Sequence, residues 1–139
     1  MIYIFYSCFN NYDLLVGENE KFLKKYSDRV ILIDDHSSLD EKAKGEKIAN
    51  NLGLQFAINP GKGVQAALNY VVQKICTPED WVLSMQQDVH FKDPNAIEKL
   101  ELTTKKIKYK KYDIGAIGFP NYMHNSHYHQ NKKNINDVK

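Results

Sequence analysis

The chain has 139 residues, of which 42% are hydrophobic and 26% charged, and its formal net charge at pH 7 is +2. This length is enough for one domain with a buried core, and the small net charge gives no support for nucleic-acid binding. No apolar stretch approaches the roughly 20 residues of a membrane span, and two cysteines make no disulfide framework, so we expect a cytoplasmic protein.

Predicted strands and helices alternate from the first residues to Pro120. Short apolar runs bounded by turn residues predict five strands, at Ile2–Cys8, Val30–Ile33, Leu54–Ile58, Trp81–Met85 and Ile114–Phe119. Apolar residues at helical spacing predict a helix between consecutive strands. The alternation predicts an α/β fold, a three-layer Rossmann-like and mostly parallel sheet with helices on both faces.

Local signals place the predicted helices. The first is indicated by Leu15, Phe22, Leu23 and Tyr26. Ser38 and Glu41 form a capping box that opens a helix reaching Leu52. The third helix has the clearest apolar pattern, with Val64, Ala67, Leu68, Val71, Val72 and Ile75. Asp93 followed by Pro94 predicts the start of the last helix.

The sequence changes character after Pro120. Residues 1–120 are predicted to form one domain and residues 121–139 a polar tail. In this tail His124, His127 and His129 are interpreted as solvated, with metal binding as the alternative. The basic run at residues 105–111 is either a solvated helix end or a patch for an anionic lipid or acceptor.

Small, acidic and amide residues follow the first four predicted strands. They are Cys8 to Asn11, Asp34 to Ser37, Asn59 to Gly63, and Gln86 to His90. In an open parallel sheet, ligands bind beyond the carboxyl ends of the strands, which lie along one edge. The sequence therefore predicts a ligand site at that edge.

The acidic pair Asp34 and Asp35 has a functional and a structural interpretation. In the functional one, a carboxylate accepts hydrogen bonds from a ligand's N–H or ribose hydroxyl groups, or both carboxylates hold a cation. In the structural one, one carboxylate caps the next helix and the other is solvated. Gly61 and Gly63 precede a helix, where their backbone N–H groups could approach an anion, although a tight turn explains them equally well. Lys62 lies between the two glycines.

Asp88 and His90 follow the fourth predicted strand. A carboxylate at this edge suits a hard divalent ion such as Mg²⁺ or Mn²⁺, which favours oxygen ligands and substrate phosphates. His90 is a second candidate ligand, and its alternative interpretation is a packed loop histidine.

These residues, in this order, resemble the family 2 glycosyltransferases of the GT-A fold. Cys8–Asn10 stands where that family has Thr/Ser-Tyr-Asn, and Ile31–Ser38 (ILIDDHSS) stands where its second strand ends Asp-Asp-Gly-Ser. Asn59–Gly61 with Ala67–Asn69 loosely matches its Asn-x-Gly-x-x-x-Ala-x-Asn segment. Trp81–Asp88 (WVLSMQQD) is similar to the Trp-x-Leu-x-Leu-Asp-Gln-Asp metal motif of rhamnosyltransferase-like members.

The resemblance implies transfer of a sugar from a nucleotide-diphosphate sugar to a glycan or lipid-linked acceptor, in bacterial surface-glycan synthesis. It implies that the donor is held by Cys8, Phe9, Asn10, Asp34, Asp35, Gly61, Lys62, Gly63, Asn69 and Asp88. It also implies a Mn²⁺ or Mg²⁺ ion on Asp88 that neutralises the diphosphate leaving group. Because Gln86 replaces the first acid of the metal motif, either His90 supplies a second ligand or metal binding is weak.

Nothing after Phe119 resembles the half of the family fold that carries the general base and the acceptor pocket, so no catalytic residue is assigned. We expect a glycosyltransferase of this kind or its donor-binding half, and in the second case catalysis is either lost or completed by a second chain or oligomer. The expected location is the cytoplasm; the alternative is a peripheral contact with the inner face of the membrane.

Two other classes of protein remain open at this point. The acidic pair with a further Asp at a strand end is typical of a phosphoreceiver-like signalling domain. The sequence Gly61-x-Gly63-x-x-Ala66 fits the fingerprint of a dinucleotide-binding oxidoreductase, although here it follows the third strand rather than the first.

Overall fold

The computed structural model describes residues 1–106, whose centre is an all-parallel sheet of four strands. The strands are β1 (Ile2–Cys8), β2 (Val30–Asp34), β3 (Gln55–Ile58) and β4 (Trp81–Gln86). The helices are α1 (Glu20–Lys25), α2 (Leu39–Leu52), α3 (Gly63–Lys74) and α4 (Ala96–Lys106). The predicted α/β class is confirmed. The predicted strand at Ile114–Phe119, the boundary at Pro120 and the tail lie outside the described residues.

The strand order in the sheet is β3-β2-β1-β4. The chain builds outward from β1 through β2 to β3, and then returns to place β4 on the opposite side of β1. In register, Cys8 pairs with Asp34, Asp34 with Ile58, and Ser7 with Gln86. The carboxyl ends of all four strands therefore share one edge, and the strand order reverses between β1 and β4.

Alternation along the strands divides the core between the two faces of the sheet. On one face, Ile4, Tyr6 and Cys8 of β1 belong to a buried cluster that also includes residues of α1, α2 and α4. On the other face, Phe5 of β1 belongs to a second cluster with residues of β2 and with Ala67 and Val71 of α3. Helices therefore cover both faces, as the continuous apolar strands predicted.

The helix termini follow local signals with three differences from prediction. Ser38 is the N-cap of α2, because its hydroxyl accepts a hydrogen bond from the Glu41 N–H. The reciprocal bond of the predicted capping box is not formed, since the Ser38 N–H donates to Asn10 and the Glu41 carboxylate accepts from the Tyr12 N–H. The first helix is shorter than its apolar spacing indicated: two 3₁₀ turns precede α1, and Gly17, the first residue of the second turn, has a left-handed φ of 81°. The last helix begins at Ala96, because Asp93 accepts a hydrogen bond from the Asn95 N–H in a turn before it.

One glycine in α2 is required by packing. Gly45 is buried, and a Cβ atom built there would overlap the aromatic ring of Tyr12. The Tyr12 ring is itself fully buried, so it has little room to move. Gly45 thus lets α2 pack closely against the segment that follows β1.

Among residues 1–106, no helix combines the length and the hydropathy that a bilayer crossing requires.

Candidate functional site

A cavity of about 360 Å³ lies at the carboxyl edge of the sheet. Its lining includes Ser7 and Phe9 from β1 and the residue after it, and Gln86 from the end of β4. These are the two strands between which the strand order reverses, which is where open α/β sheets bind ligands. We call this space the carboxyl-edge cavity.

The lining of the carboxyl-edge cavity is mixed in chemistry. Its polar side chains are Ser7, Asn11, Asp35, Gln86, Gln87 and Asp88. Its apolar side chains are Phe9, Leu14 and Val64, and the Phe9 ring is 59% exposed. Among the described residues, the lining thus holds two carboxylates and no lysine, arginine or histidine.

The acidic pair is divided between the two faces of the sheet. Asp34 is fully buried, and its carboxylate accepts hydrogen bonds from the Tyr12 hydroxyl at 2.7 Å and the Ser37 N–H at 3.1 Å. Asp35 is half-buried and lines the carboxyl-edge cavity. Of the two, therefore, only Asp35 is placed to meet a ligand in this cavity.

The glycine-containing loop between β3 and α3 is bound to Asp35. The N–H of Gly63, the first residue of α3, donates to both Asp35 oxygens at 3.0 Å. Asn59 donates from its Nδ2 to Asp35 Oδ1 at 2.8 Å and accepts from the Gly61 N–H at 3.1 Å. A carboxylate at a helix N-terminus is favoured by the helix dipole. The anion that this helix end holds is therefore a side chain of the protein itself.

Gln87 joins β4 to the end of β1. Its Oε1 accepts from the Phe9 N–H at 2.9 Å, and its Nε2 donates to the Asn10 carbonyl at 2.6 Å. Asn10 in turn accepts from the Ser38 N–H on its Oδ1, and its own N–H donates to the Ser37 hydroxyl. Asn10 therefore joins loops at this edge, while Phe9 presents its ring to the carboxyl-edge cavity.

The candidate metal ligands differ in position. Asp88 is exposed and lines the carboxyl-edge cavity, whereas His90 is exposed but is not part of its lining. Within residues 1–106, no three His, Cys, Asp or Glu side chains are grouped as a metal site. The donor set fits Mg²⁺ or Mn²⁺ through Asp88 if most ligands are substrate phosphates and water, as is common for Mg²⁺.

Three other predicted site residues lie away from this lining. The Cys8 side chain is fully buried, where burial raises the pKa of its thiol far above the usual value. Lys62 is exposed before the first residue of α3. Asn69 is exposed on α3 and accepts a hydrogen bond from Gln65 one turn earlier.

The structure adds lining residues that no site motif indicated, among them Ser7 and Leu14. Ser7 and Leu14 both contact the carboxyl-edge cavity. Strand alternation could have identified Ser7, because it shares a face with Phe5 and breaks the apolar character of β1 near its carboxyl end. Leu14 lies in a 3₁₀ turn, and its sequence position carries no comparable signal.

The chain was compared with protein-family models, with curated proteins and with solved structures, and none of these comparisons gave a match.

Proposed function

We propose that this chain binds a nucleotide-diphosphate sugar and acts as the donor-binding part of a glycosyltransferase. The observation that carries the proposal is the carboxyl-edge cavity, which lies where the strand order reverses and combines an exposed aromatic ring with two carboxylates. This position and this mixture of groups suit a ligand with a flat base, several hydroxyls and a diphosphate.

Two lining residues suit the nucleoside. The exposed Phe9 ring offers a face on which a base can stack. Asp35 Oδ2 accepts only from the Gly63 N–H among the described residues, so it keeps a lone pair for a ribose hydroxyl or a base N–H. Asp34 is fully buried and cannot contact a ligand, so we assign ligand recognition to Asp35.

Charge in the lining supports a requirement for a divalent cation. A diphosphate entering the carboxyl-edge cavity approaches Asp35 and Asp88 and, among the described residues, meets no cationic lining side chain. Without a counter-ion, the like charges would repel. Asp88 would hold a Mg²⁺ or Mn²⁺ ion, which neutralises the diphosphate as it leaves the sugar.

The geometry supports the two alternative classes less well. A phosphoreceiver needs its acidic pair together in an accessible site, whereas Asp34 is fully buried and bonded to Tyr12. A dinucleotide fingerprint uses glycine N–H groups on the pyrophosphate, whereas the Gly63 N–H is bonded to Asp35.

Thermal unfolding in the presence of candidate ligands tests the proposal. We expect UDP, GDP or dTDP to raise the melting temperature in the presence of Mn²⁺, with a smaller effect in its absence. NAD and acetyl phosphate serve as controls for the two alternative classes. Stabilisation by NAD alone, or by acetyl phosphate alone, would overturn the proposal in favour of the corresponding class.

A further inference from the structure

His36 has an uncommon backbone conformation next to the carboxyl-edge cavity. It follows Asp35 and has a left-handed φ of 63°. Residues other than glycine adopt this region rarely, although histidine does so more readily than most. Such a conformation persists only where other contacts hold it, so the contacts of His36 indicate what the conformation serves.

The imidazole of His36 reaches across to the loop between β3 and α3. Its Nε2 lies 2.7 Å from the Gly61 carbonyl oxygen. A carbonyl oxygen only accepts, so Nε2 carries the hydrogen and donates it. The side chain of one loop is thus bonded to the backbone of the next loop along the same edge of the sheet.

The buried side chain of Asn59 also contacts the loop between β3 and α3. It is 1% exposed, and its Nδ2 donates to Asp35 Oδ1 and to the Gly63 carbonyl, at 2.8 and 3.0 Å. We call His36, Asn59 and Asp35 the loop latch. Its three members fix Gly61 and Gly63, and Gly63 with the next residue, Val64, forms part of the lining of the carboxyl-edge cavity.

The loop needs such support because of its glycines. Gly63 has a φ of 75°, and a Cβ atom on Gly61 would come within 2.8 Å of the Ala66 side chain. Both positions therefore favour glycine, which is the residue with the greatest conformational freedom in the absence of other contacts. Holding the loop in one conformation lowers the entropy that a ligand would otherwise have to remove on binding.

We propose that His36 is a positioning residue, which holds the β3–α3 loop in the conformation that forms one wall of the carboxyl-edge cavity. The proposal rests on the proposed function for the identity of the ligand. It assigns no contact between His36 and that ligand. It predicts that losing the hydrogen bond to Gly61 weakens binding while the fold keeps its stability.

Three substitutions at one position separate positioning from general stability. His36→Gly removes the hydrogen bond but suits the left-handed conformation, so we expect a melting temperature equal to or above that of the wild type. His36→Asn tolerates the conformation, but its amide lies too close to the backbone to reach Gly61. His36→Gln places an amide N–H about as far from the backbone as the imidazole Nε2 and should restore the contact.

Besides the melting temperature, two measurements are made on each variant. Hydrogen exchange of the Gly63 amide reports loop opening without any ligand, with the amides of α4 as a reference. Isothermal titration uses the one of UDP, GDP and dTDP that stabilises the wild type most, together with Mn²⁺. For His36→Gly and His36→Asn we expect faster exchange of the Gly63 amide. We also expect a Kd about tenfold higher, which corresponds to a loop that adopts its binding conformation about a tenth of the time. His36→Gln should be close to wild type.

The outcomes distinguish the two proposals. Unchanged Gly63 exchange in both His36→Gly and His36→Asn would overturn the loop latch. Faster exchange with unchanged affinity would overturn the positioning role. If the wild type binds none of the three nucleotides, the proposed function fails and the positioning role fails with it, while the exchange data still decide whether His36 holds the loop.

Discussion

The Tyr12 hydroxyl donates a hydrogen bond of 2.7 Å to Asp34 Oδ2, and both side chains are fully buried. Burial raises the pKa of the Tyr12 phenol far above its usual value, and the nearby Cys8 and Asp34 add to this effect. The phenol is therefore protonated at neutral pH and can donate to Asp34. This contact gives a buried carboxylate one of its two hydrogen bonds among the described residues, and it ties the segment after β1 to the end of β2.

Replacing Tyr12 by phenylalanine should destabilise the protein. The variant leaves Asp34 in the core with only the Ser37 N–H as a donor among the described residues. Removing one partner of a buried polar group costs about 1–3 kcal/mol. Urea unfolding measures this loss, and Tyr70→Phe, which changes a half-buried tyrosine on α3, is the matched control. Equal stability of Tyr12→Phe and Tyr70→Phe would contradict the assigned role of the contact.

Gly45→Ala should also destabilise the protein, against the usual rule for helices. Alanine normally favours a helix over glycine by about 1 kcal/mol. Here the added methyl group would overlap the buried ring of Tyr12, and overpacking of a core costs about 1–3 kcal/mol. Denaturant unfolding is the measurement, and Asn50→Ala on the exposed side of α2 is the control, expected to be neutral or slightly stabilising. A gain in stability from Gly45→Ala would show that the ring can move aside.

Much of the fold was predictable because its strands are continuous apolar runs. β1 was predicted to the residue, and β2 and β4 each extend one residue beyond the prediction. The helix ends were less predictable where a single residue redirects the backbone, as Gly17 does before α1. Such turns depend on φ values that apolar spacing does not encode.

The sequence predicted that the candidate site lies at the carboxyl edge of the sheet, but it did not predict which side chains contact each other there. The sequence placed Asp34 and Asp35 together, and strand alternation could have separated them, because Asp34 shares a face with Leu32. The hydrogen-bond partner of Asp34 could be identified only from the tertiary structure, because Tyr12 is 22 residues away from it along the chain. Likewise, the hydrogen bond from the Gly63 N–H to Asp35 forms because the neighbouring strands β2 and β3 bring the loops at their carboxyl ends close together.

Asp88→Asn should remove the part of nucleotide binding that depends on Mn²⁺. The carboxamide keeps nearly the same shape but loses the charge that a hard divalent cation requires. Melting temperatures with UDP, GDP and dTDP, measured with and without Mn²⁺, provide the comparison. Asp40→Asn, an exposed substitution on α2, is the control. A metal-dependent shift of wild-type size in Asp88→Asn would remove Asp88 from the proposed site.

The contact between α1 and α4 should make stability depend on pH. The Lys25 ammonium and the Tyr26 hydroxyl both bond to the Glu98 carboxylate and lower its pKa from 4.5 to about 2. A pKa that is lower in the folded state stabilises the protein above pH 4.5, and this contribution disappears as the pH falls from 4.5 towards 2.

Glu98→Gln removes this titration. We expect the difference in melting temperature between pH 5 and pH 2.5 to be smaller in Glu98→Gln than in the wild type. Glu20→Gln at the start of α1 is the control, because Glu20 is an exposed carboxylate on the partner helix. An identical pH profile for Glu98→Gln and wild type would mean that the ion pair does not persist in solution.

The carboxylate of Asp35 on the first amide of α3 has a consequence for selectivity. Sulfate or inorganic phosphate approaching that helix end would have to displace a side chain already bonded there and would meet its negative charge. We therefore expect inorganic oxyanions to compete poorly with the Asp35 carboxylate for the N-terminus of α3.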